Sequence, residues 1–366
     1  MLKDNMRIAL VHDWLNALGG AERVLIELHK IFPQAPIYTF FTDKEFISKY
    51  LPGADIRTSY LQRVPFINKI YKYFLVLMPS IVESFDLSDY DVVLSSSVIF
   101  SKGLVLSLKT KHICYCYSPT RFLWDRHAEY ENRTWQSNIA RHILRIWDRQ
   151  SADRADKFIA ISKHVQDRIK KYYRKDSEVI YPPVNINMGK EDASQTGNFK
   201  PNFYLIVSRL FPHKNIDIAI KAFNRLGLDL LIIGEGPAYK KLKDEIENKK
   251  IKLLGFVPDE DLPYYYRNCK AFIMPQEEDF GLTPIEAMSF GKPVLALRQG
   301  GAMETVIEGV TGEFFDDPIP EGLADGIRRL NENFRKYDPG IIRSHAQKFS
   351  QDRFRQEMLE LVHGEK

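Results

Sequence analysis

The chain has 366 residues, 44% of them apolar and 27% charged, with a formal net charge of +4. This length suits two domains better than one, and the composition is ordinary for a soluble globular protein. No N-terminal stretch resembles a signal peptide, and no run approaches the ~20 apolar residues that span a bilayer. Its three cysteines, without a CxxC spacing, disfavour a disulfide framework or a zinc site and fit a reducing cytoplasm.

Charge is divided unevenly along the chain. Residues 1–180 carry a formal charge of +7 and residues 181–366 carry −3, which sum to the net +4. A basic N-terminal half favours an anionic partner, either membrane phospholipid or a phosphorylated acceptor. An ordinary solvated surface explains the same charge equally well.

In the first half of the chain, short apolar runs alternate with longer amphipathic stretches. The runs 7–12, 91–95, 111–115 and 157–161 predict strands, and a Gly-Gly turn opens a predicted helix at 21–31. Strands that alternate with helices indicate a parallel sheet covered by helices on both faces.

A polar stretch containing glycines, residues 185–200, has the composition of a linker. A second strand–helix series follows it. Its predicted elements are a helix at 215–226 and strands at 203–207, 228–233, 251–255, 271–274 and 293–297. We therefore predict an α/β protein of two doubly wound, Rossmann-like parallel-sheet domains, 1–182 and 183–344, that face each other across a cleft.

The segment 278–286 is a strand–loop–helix turn with a carboxylate at each end, Glu278 and Glu286. Such a turn directs backbone N–H groups and a helix dipole at an anion. A carboxylate beside an anion site is a candidate for binding sugar hydroxyls. Helix capping, with Thr283 as N-cap and Pro284 in the first turn, explains Glu286 equally well. It does not explain Glu278, nor why Gly281 holds the loop open.

Two cations follow the first strand of the second series. Arg209 lies at its carboxyl end, and Lys214 lies at the start of the next helix. Arginine binds phosphate through two N–H groups and lysine supplies a point charge, so the pair suits a diphosphate. Either residue alone is more simply a solvated surface cation.

The first half offers weaker signals. Gly19-Gly20 is a glycine turn into a helix, but GxGxxG is absent, which disfavours a nicotinamide enzyme. His12, at the end of the first strand, suits a turn residue and a ligand-binding role equally. The segment 60–78 mixes basic with aromatic and aliphatic residues, so it suits either a membrane interface or a core-packing helix.

Several short motifs follow one another along the chain. They are GGAE at 19–22, SR and K at 208–214, GEGP at 234–237, GFVP at 255–258 and Glu-x7-Glu at 278–286. In this order they resemble the retaining glycosyltransferases of family 4, which have the GT-B architecture. The resemblance covers nearly the whole chain. HDW at 12–14, PTRFLWD at 119–125 and YPPV at 181–184 are similar to the bacterial mannosyltransferase branch of that family.

The resemblance implies roles for the donor-side residues. Glu278 would hold or polarise the donor sugar, and Glu286 would bind the nucleotide ribose. Arg209 and Lys214 would bind the diphosphate.

It also implies backbone contacts. Residues around Phe256 and Val257 would contact the base, and the amides of Phe280, Gly281, Leu282 and Thr283 would contact phosphate and sugar. The turn at Gly19 and Gly20 would close over the diphosphate, and a C-terminal helix at about 345–366 would return to pack on the first domain.

One position departs from the family pattern. Relatives often carry a histidine before the Ser-Pro that follows a strand of the first domain, whereas this chain has Tyr117 there. A phenol donates a hydrogen bond but is a poor general base near neutral pH. Either Tyr117 replaces that histidine by hydrogen bonding, or another group performs the role of the histidine, or the transferase activity is compromised.

The resemblance therefore implies a retaining transferase that moves a hexose, first choice mannose, from GDP-mannose or a UDP-sugar to a lipid-linked or surface-polysaccharide acceptor. No metal is needed if Arg209 and Lys214 neutralise the leaving diphosphate. We expect no nucleic-acid partner, a cytoplasmic location, and a peripheral contact with the inner face of the cytoplasmic membrane through 60–78. The alternatives are a GT-B nucleotide-sugar epimerase and a non-catalytic nucleotide-sugar-binding subunit.

Overall fold

The structure is a computed structural model that describes residues 6–125, 134–185 and 201–364. Except for Asn185, the predicted linker at 185–200 lies outside the described residues. The chain divides into two compact units, one formed by Met1–Pro182 with Phe354–Lys366 and the other by Pro183–Arg353.

The first unit is built on a seven-stranded parallel sheet in the order β3-β2-β1-β4-β5-β6-β7. Its strands are β1 Ile8–His12, β2 Ile37–Thr39, β3 Ile56–Thr58, β4 Val92–Ser97, β5 Lys111–Cys116, β6 Lys157–Ala160 and β7 Ser177–Val179. Its helices are α1 Gly20–Ile31, α2 Lys44–Tyr50, α3 Ile67–Ile70, α4 Met78–Glu83, α5 Trp135–Ser151 and α6 Lys163–Tyr173.

The second unit is built on a six-stranded parallel sheet in the order β10-β9-β8-β11-β12-β13. Its strands are β8 Phe203–Val207, β9 Leu230–Ile233, β10 Ile251–Gly255, β11 Cys269–Met274, β12 Val294–Leu297 and β13 Gly312–Phe315. Its helices are α7 Ile216–Leu226, α8 Tyr239–Asp244, α9 Leu262–Asn268, α10 Leu282–Ser289, α11 Ala302–Thr305, α12 Pro320–Glu332 and α13 Pro339–Ala346.

Both sheets confirm the predicted doubly wound α/β class. In each, the first strand of the series lies between the second and the fourth, which is the strand order of Rossmann-like folds. The central strands are buried on both faces, so β8, β9 and β12 appear in sequence as continuous apolar runs. The four strands that the apolar pattern did not reveal, β2, β3, β7 and β13, are only three or four residues long.

The C-terminal helix begins later than predicted. Helix α13 ends at Ala346, a 3-10 turn covers Gln347–Phe349, and α14 runs over Gln351–His363. Phe354, with which the returning part of the chain begins, is fully buried, and its ring lies 5.8 Å from that of Tyr115 on β5. Aromatic packing of this kind contributes both buried area and favourable ring geometry.

The segment 60–78 is not one continuous helix. It forms 3-10 turns at Tyr60–Arg63 and Tyr71–Leu77 around the short helix α3, and Phe66 has a left-handed φ of 57°. Leu61 and Ile67 are buried in the core, whereas Phe66 and Tyr73 are 77% and 88% exposed. The segment therefore packs one side on the core and presents another side to solvent. Within the described residues, no helix has both the length and the apolarity to cross a bilayer.

A buried ionic cluster ties α5 to the loop after β4. Lys102 and Asp148 are each 1% exposed, and their side chains form an ion pair of 2.6 Å. The Asp148 carboxylate also accepts hydrogen bonds from Thr120 and from the indole of Trp124, each at 2.7 Å. The donors compensate the charge that burial would otherwise make costly.

Candidate functional site

The predicted donor-side residues of the second unit follow two neighbouring strands. Arg209 comes just after β8, Lys214 ends the 3-10 turn before α7, and Glu278 lies between β11 and α10. Strands β8 and β11 pair directly, and the strand order changes direction between them. In doubly wound sheets, ligands bind at the carboxyl ends of the strands at this switch point.

Lys214 and Glu278 form an ion pair at this edge. The Lys214 Nζ lies 2.5 Å from Glu278 Oε1, and Lys214 is buried while the Glu278 side chain keeps 26% exposure. An ammonium has three N–H donors, so one bond to a carboxylate leaves capacity for a phosphate oxygen. The two residues that sequence analysis assigned to sugar and diphosphate are thus one coupled pair.

Gln276 is a neighbour of this pair that sequence analysis missed. It is 3% exposed, and its amide donates to Glu278 Oε1 at 3.0 Å. The same carboxylate oxygen therefore receives two donors, which orients the Glu278 side chain. A polar residue two positions after the buried strand β11 was the available signal.

Arg209 is positioned differently from Lys214. It is exposed, and its guanidinium carbon lies 5.6 Å from the ring centroid of Phe211. It makes no ion pair with any residue in the described ranges. Two glycines allow the neighbouring loop to lie close to the backbone around Arg209. A Cβ on Gly234 would lie 1.9 Å from the Ser208 carbonyl oxygen, and a Cβ on Gly236 would lie 2.3 Å from that of Leu210. The arginine therefore projects from a tightly packed backbone.

Helix α10 begins earlier in the chain than predicted. Gly281, with φ of 89°, is the N-cap, so α10 starts at Leu282 and Thr283 lies inside its first turn. The prediction that Thr283 caps the helix is wrong, because the left-handed glycine already turns the chain. The first amides of a helix lack intrahelical acceptors, so those of Leu282 and Thr283 are available to an anion.

Glu286 has a partner other than the helix backbone. Its Oε2 accepts a hydrogen bond of 2.7 Å from the hydroxyl of Tyr266 on α9. The capping explanation of Glu286 is therefore wrong, since its carboxylate does not lie three residues after the N-cap. Tyr266, which sequence analysis did not single out, fixes the orientation of this carboxylate.

A second glycine loop supports the backbone around Glu278. The amide of Gly301 donates to the Glu278 carbonyl at 2.9 Å, and a Cβ on Gly300 would lie 2.3 Å from the same oxygen. A Cβ on Gly301 would lie 2.4 Å from the Cα of Phe280, whose side chain is buried. Only glycine permits this approach; the Gly-Gly pair after β12 was its signal in the sequence.

Phe256 and Val257 follow β10 on the same edge of the sheet. Phe256 is 70% exposed, and Gly255 before it has φ of 74°. The Gly255 carbonyl accepts a hydrogen bond of 2.8 Å from the amide of Gly234. The structure thus places both predicted base-contacting residues just after β10, which pairs with β9.

In the first unit, the turn at Gly19 and Gly20 opens α1. Gly19 is the N-cap, and its amide donates to Glu22 Oε2 at 2.8 Å. The other oxygen of Glu22 lies 3.5 Å from Nε2 of His12, which is fully buried. His12 Nδ1 lies 3.0 Å from the Ser96 carbonyl and hydroxyl oxygens. His12 therefore links the glycine turn to β4.

Tyr117 completes the same cluster. Its hydroxyl donates to the Ala21 carbonyl at 3.0 Å and lies 2.8 Å from Ser96 Oγ. Burial raises the pKa of Tyr117 well above its ordinary value, and the nearby carboxylates act in the same direction. The phenol is therefore a protonated anchor of the first turn of α1. Its predicted contact with substrate stays a prediction.

We expect Tyr117→Phe to lower stability by about 1–2 kcal/mol, since it removes the donor to the Ala21 carbonyl. The pH dependence of the reaction below about pH 10 should not change, because the phenol stays protonated there. Urea unfolding and pH–rate profiles of both proteins measure these effects. A changed pH profile at normal stability would instead assign the hydroxyl a catalytic role.

Two family models match consecutive parts of the chain. Residues 18–188 match Glycosyltransferase Family 4, and residues 189–339 match Glycosyl transferases group 1. The chain belongs to the family 4 glycosyltransferases of the GT-B fold. The family resemblance predicted from the motifs is therefore confirmed, as is the assignment as an enzyme.

Curated relatives support the same family. An uncharacterized glycosyltransferase of Methanocaldococcus jannaschii is 31% identical over 212 residues, or 56% of this chain and 59% of that protein. The alpha-1,3/1,6-mannosyltransferase ALG2 of Dictyostelium discoideum is 24% identical over 90% of this chain and 91% of its own length.

Solved structures share the GT-B fold of this glycosyltransferase. Anabaena HepE in complex with UDP superposes with a TM-score of 0.72 at 22% identity, covering 98% of this chain and 100% of that one. The sucrose-phosphate synthase of Thermosynechococcus elongatus gives 0.74 at 18% identity, covering 98% and 99%.

Proposed function

We propose that this glycosyltransferase moves a hexose, with mannose as first choice, from a nucleotide-diphosphate sugar to a lipid-linked or surface-polysaccharide acceptor, with retention of configuration. The observation that carries the proposal is the Lys214–Glu278 pair at the switch point of the second sheet, beside the N-terminus of α10. A cation, helix amides and a carboxylate at one edge match a donor with an anionic diphosphate and a neutral sugar.

The chemistry follows from the charges that develop. Cleavage of the glycosyl–phosphate bond builds negative charge on the diphosphate and positive charge on the sugar. The negative charge on the diphosphate would be stabilised by Lys214, Arg209 and the amides of Leu282 and Thr283, so no metal ion is required in this proposal. Glu278 would stabilise the positive charge on the sugar and bind sugar hydroxyls. Glu286, oriented by Tyr266, would bind the ribose.

The choice of donor rests on the relatives. ALG2 proteins are named mannosyltransferases, which favours GDP-mannose, whereas HepE was solved in complex with UDP and with UDP-glucose. We place GDP-mannose first and a UDP-hexose second. For the acceptor, the exposed Phe66 and Tyr73 favour a lipid carrier reached from the inner face of the cytoplasmic membrane through 60–78.

A thermal-shift panel tests the donor. We expect GDP-mannose at about 100 times its Kd to stabilise the native protein by about 2.7 kcal/mol, and mannose or GMP alone to do far less. A larger shift with UDP-glucose would move the assignment to a UDP-sugar. The absence of a shift with every nucleotide sugar would contradict the proposed donor site.

A further inference from the structure

A polar cavity lies at the β3 edge of the first sheet. It has a volume of about 460 Å³ and is lined by Tyr38 and by residues 57–60, 84–86 and 89–90. These residues belong to β2, to the end of β3 with the turn that follows it, and to the segment between α4 and β4. Small-molecule sites typically enclose ~300–1,000 Å³. This β3 pocket belongs to the first unit, whereas Lys214 and Glu278 belong to the second.

An arginine and two phenols form a fixed polar wall of the β3 pocket. Tyr38 and Arg57 are partners in the register of β2 and β3, and the guanidinium carbon lies 5.5 Å from the centroid of the Tyr38 ring. One terminal nitrogen of Arg57 donates to the hydroxyls of Tyr38 and Tyr90 at 2.9 Å and 3.0 Å. Its other two nitrogens donate to one oxygen of Asp55 at 3.1 Å and 2.9 Å. The arginine is therefore neutralised by a carboxylate and serves to fix the phenols.

This wall keeps hydrogen-bond donors for a ligand. The two phenol oxygens lie 3.2 Å apart, so one hydroxyl donates to the other, and the hydrogen of the second has no partner among the described residues. Burial and the hydrogen bond with Tyr38 raise the pKa of Tyr90 to about 12, so the phenol remains a donor. A guanidinium has five N–H donors. The four bonds of Arg57 leave one of them without a partner in the part of the chain that the structure describes.

The exposed residues of the pocket add an acceptor and an aromatic ring. Asp86 Oδ1 accepts hydrogen bonds from the amide and the hydroxyl of Ser88 at 3.1 Å and 2.7 Å, which fixes the carboxylate and leaves Oδ2 as an acceptor. Tyr60 is 55% exposed, so its ring is accessible to a ligand. The partly buried ring of Phe85 lies 5.7 Å from that of Tyr38. The pocket thus combines aromatic surface with both donors and acceptors.

This combination selects the class of ligand. Arg57 is the only cation that lines the pocket, and its charge is already paired, which disfavours a phosphate or another anion. An ammonium would meet the spare N–H and O–H donors, and an apolar ligand would leave them without partners, which is costly. A sugar ring fits each feature, because its hydroxyls donate and accept while its C–H face packs on an aromatic ring. We propose that the β3 pocket binds one or two rings of a neutral saccharide, at a site independent of the proposed donor site.

The test uses the full chain and saturation-transfer-difference NMR with methyl α-mannoside, methyl α-glucoside, mannobiose and maltose. We expect at least one of these sugars to bind with a Kd of about 1 mM or below. Tyr60→Ala and Asp86→Ala should each weaken that binding at least ~10-fold, since they remove the exposed ring and the charged acceptor. Trp135→Ala and Asp167→Ala are the matched controls. They remove an exposed ring and an exposed carboxylate elsewhere in the first unit, and their sugar binding should not change.

A blocking variant tests the pocket without removing a contact. Thr58 is exposed on the edge strand β3 and lines the pocket, so Thr58→Trp should obstruct it and abolish sugar binding at an unchanged urea midpoint. Wild-type sugar binding by both Thr58→Trp and Asp86→Ala overturns the proposal and assigns the sugars to the donor site. The absence of binding by every sugar also overturns it, as does binding of inorganic phosphate or ethanolamine in their place. None of these results depends on sugar transfer, so the proposed function is tested separately.

Discussion

Replacing Lys214 with alanine should remove sugar transfer almost completely, with a loss of at least ~10³-fold in kcat/KM. The reason is that Lys214 is a buried cation at the switch point, where the proposed function places the developing charge of the leaving diphosphate. The binding of GDP or UDP should weaken in the same variant. Steady-state kinetics and calorimetric titration with the nucleoside diphosphate measure the two effects.

Glu278→Gln separates the roles within the pair. Transfer should again be lost, because the variant lacks the carboxylate that the proposed function assigns to the donor sugar. Diphosphate binding should stay equal or become tighter, because the Lys214 ammonium no longer shares its charge with a carboxylate 2.5 Å away. Lys252→Ala, at an exposed position of β10, is the matched control and should behave as wild type. Equal weakening of diphosphate binding by Glu278→Gln and Lys214→Ala would contradict the assigned roles.

The second large effect concerns stability rather than chemistry. Asp148→Asn should destabilise the first unit by about 3–5 kcal/mol, because it leaves the Lys102 ammonium buried without a counter-charge. Lys102 and Asp148 are each 1% exposed, so water cannot compensate the lost charge. All four tryptophans, at 14, 124, 135 and 147, belong to this unit, so urea unfolding followed by tryptophan fluorescence reports on it.

Two control variants distinguish the effect of burial on stability from the effect of losing a charge. Asp153→Asn removes a carboxylate that pairs with Arg149 and Lys175 but is 55% exposed, and it should cost less than about 1 kcal/mol. The double variant Lys102→Met, Asp148→Leu removes both buried charges and should recover part of the loss. A midpoint for Asp148→Asn equal to that of Asp153→Asn would refute the explanation.

The class of fold was predictable because a parallel sheet buries both faces of its central strands. Strands such as β8, β9 and β12 are therefore continuous apolar runs that a single sequence reveals. Short edge strands carry too few residues for a pattern, which is why β3 and β13 were missed. The segment 60–78 was ambiguous for a related reason: its apolar residues divide between core and surface around the left-handed Phe66.

Part of the site was predictable from the same logic. Parallel strands bring their carboxyl ends to one edge, so Arg209, Lys214 and Glu278 were assigned to one region from their positions after two predicted strands. The side chains that these residues contact were not predictable in this way. That Glu278 contacts Lys214 depends on β8 lying beside β11, and no local pattern encodes that strand order.

Local patterns in the sequence were enough to predict two strand–helix series, the glycine turns between them and the family to which their motifs belong. These features are local, since periodicity, turn residues and spacing specify them within about ten residues. Which side chains meet is visible only in the folded chain: Tyr266 contacts Glu286, Gln276 contacts Glu278, and Tyr117 contacts the Ala21 carbonyl. Burial also differs between apolar residues that look alike in sequence, as with buried Ile67 and exposed Phe66. Those pairings arise from strand order and packing between elements distant in the chain.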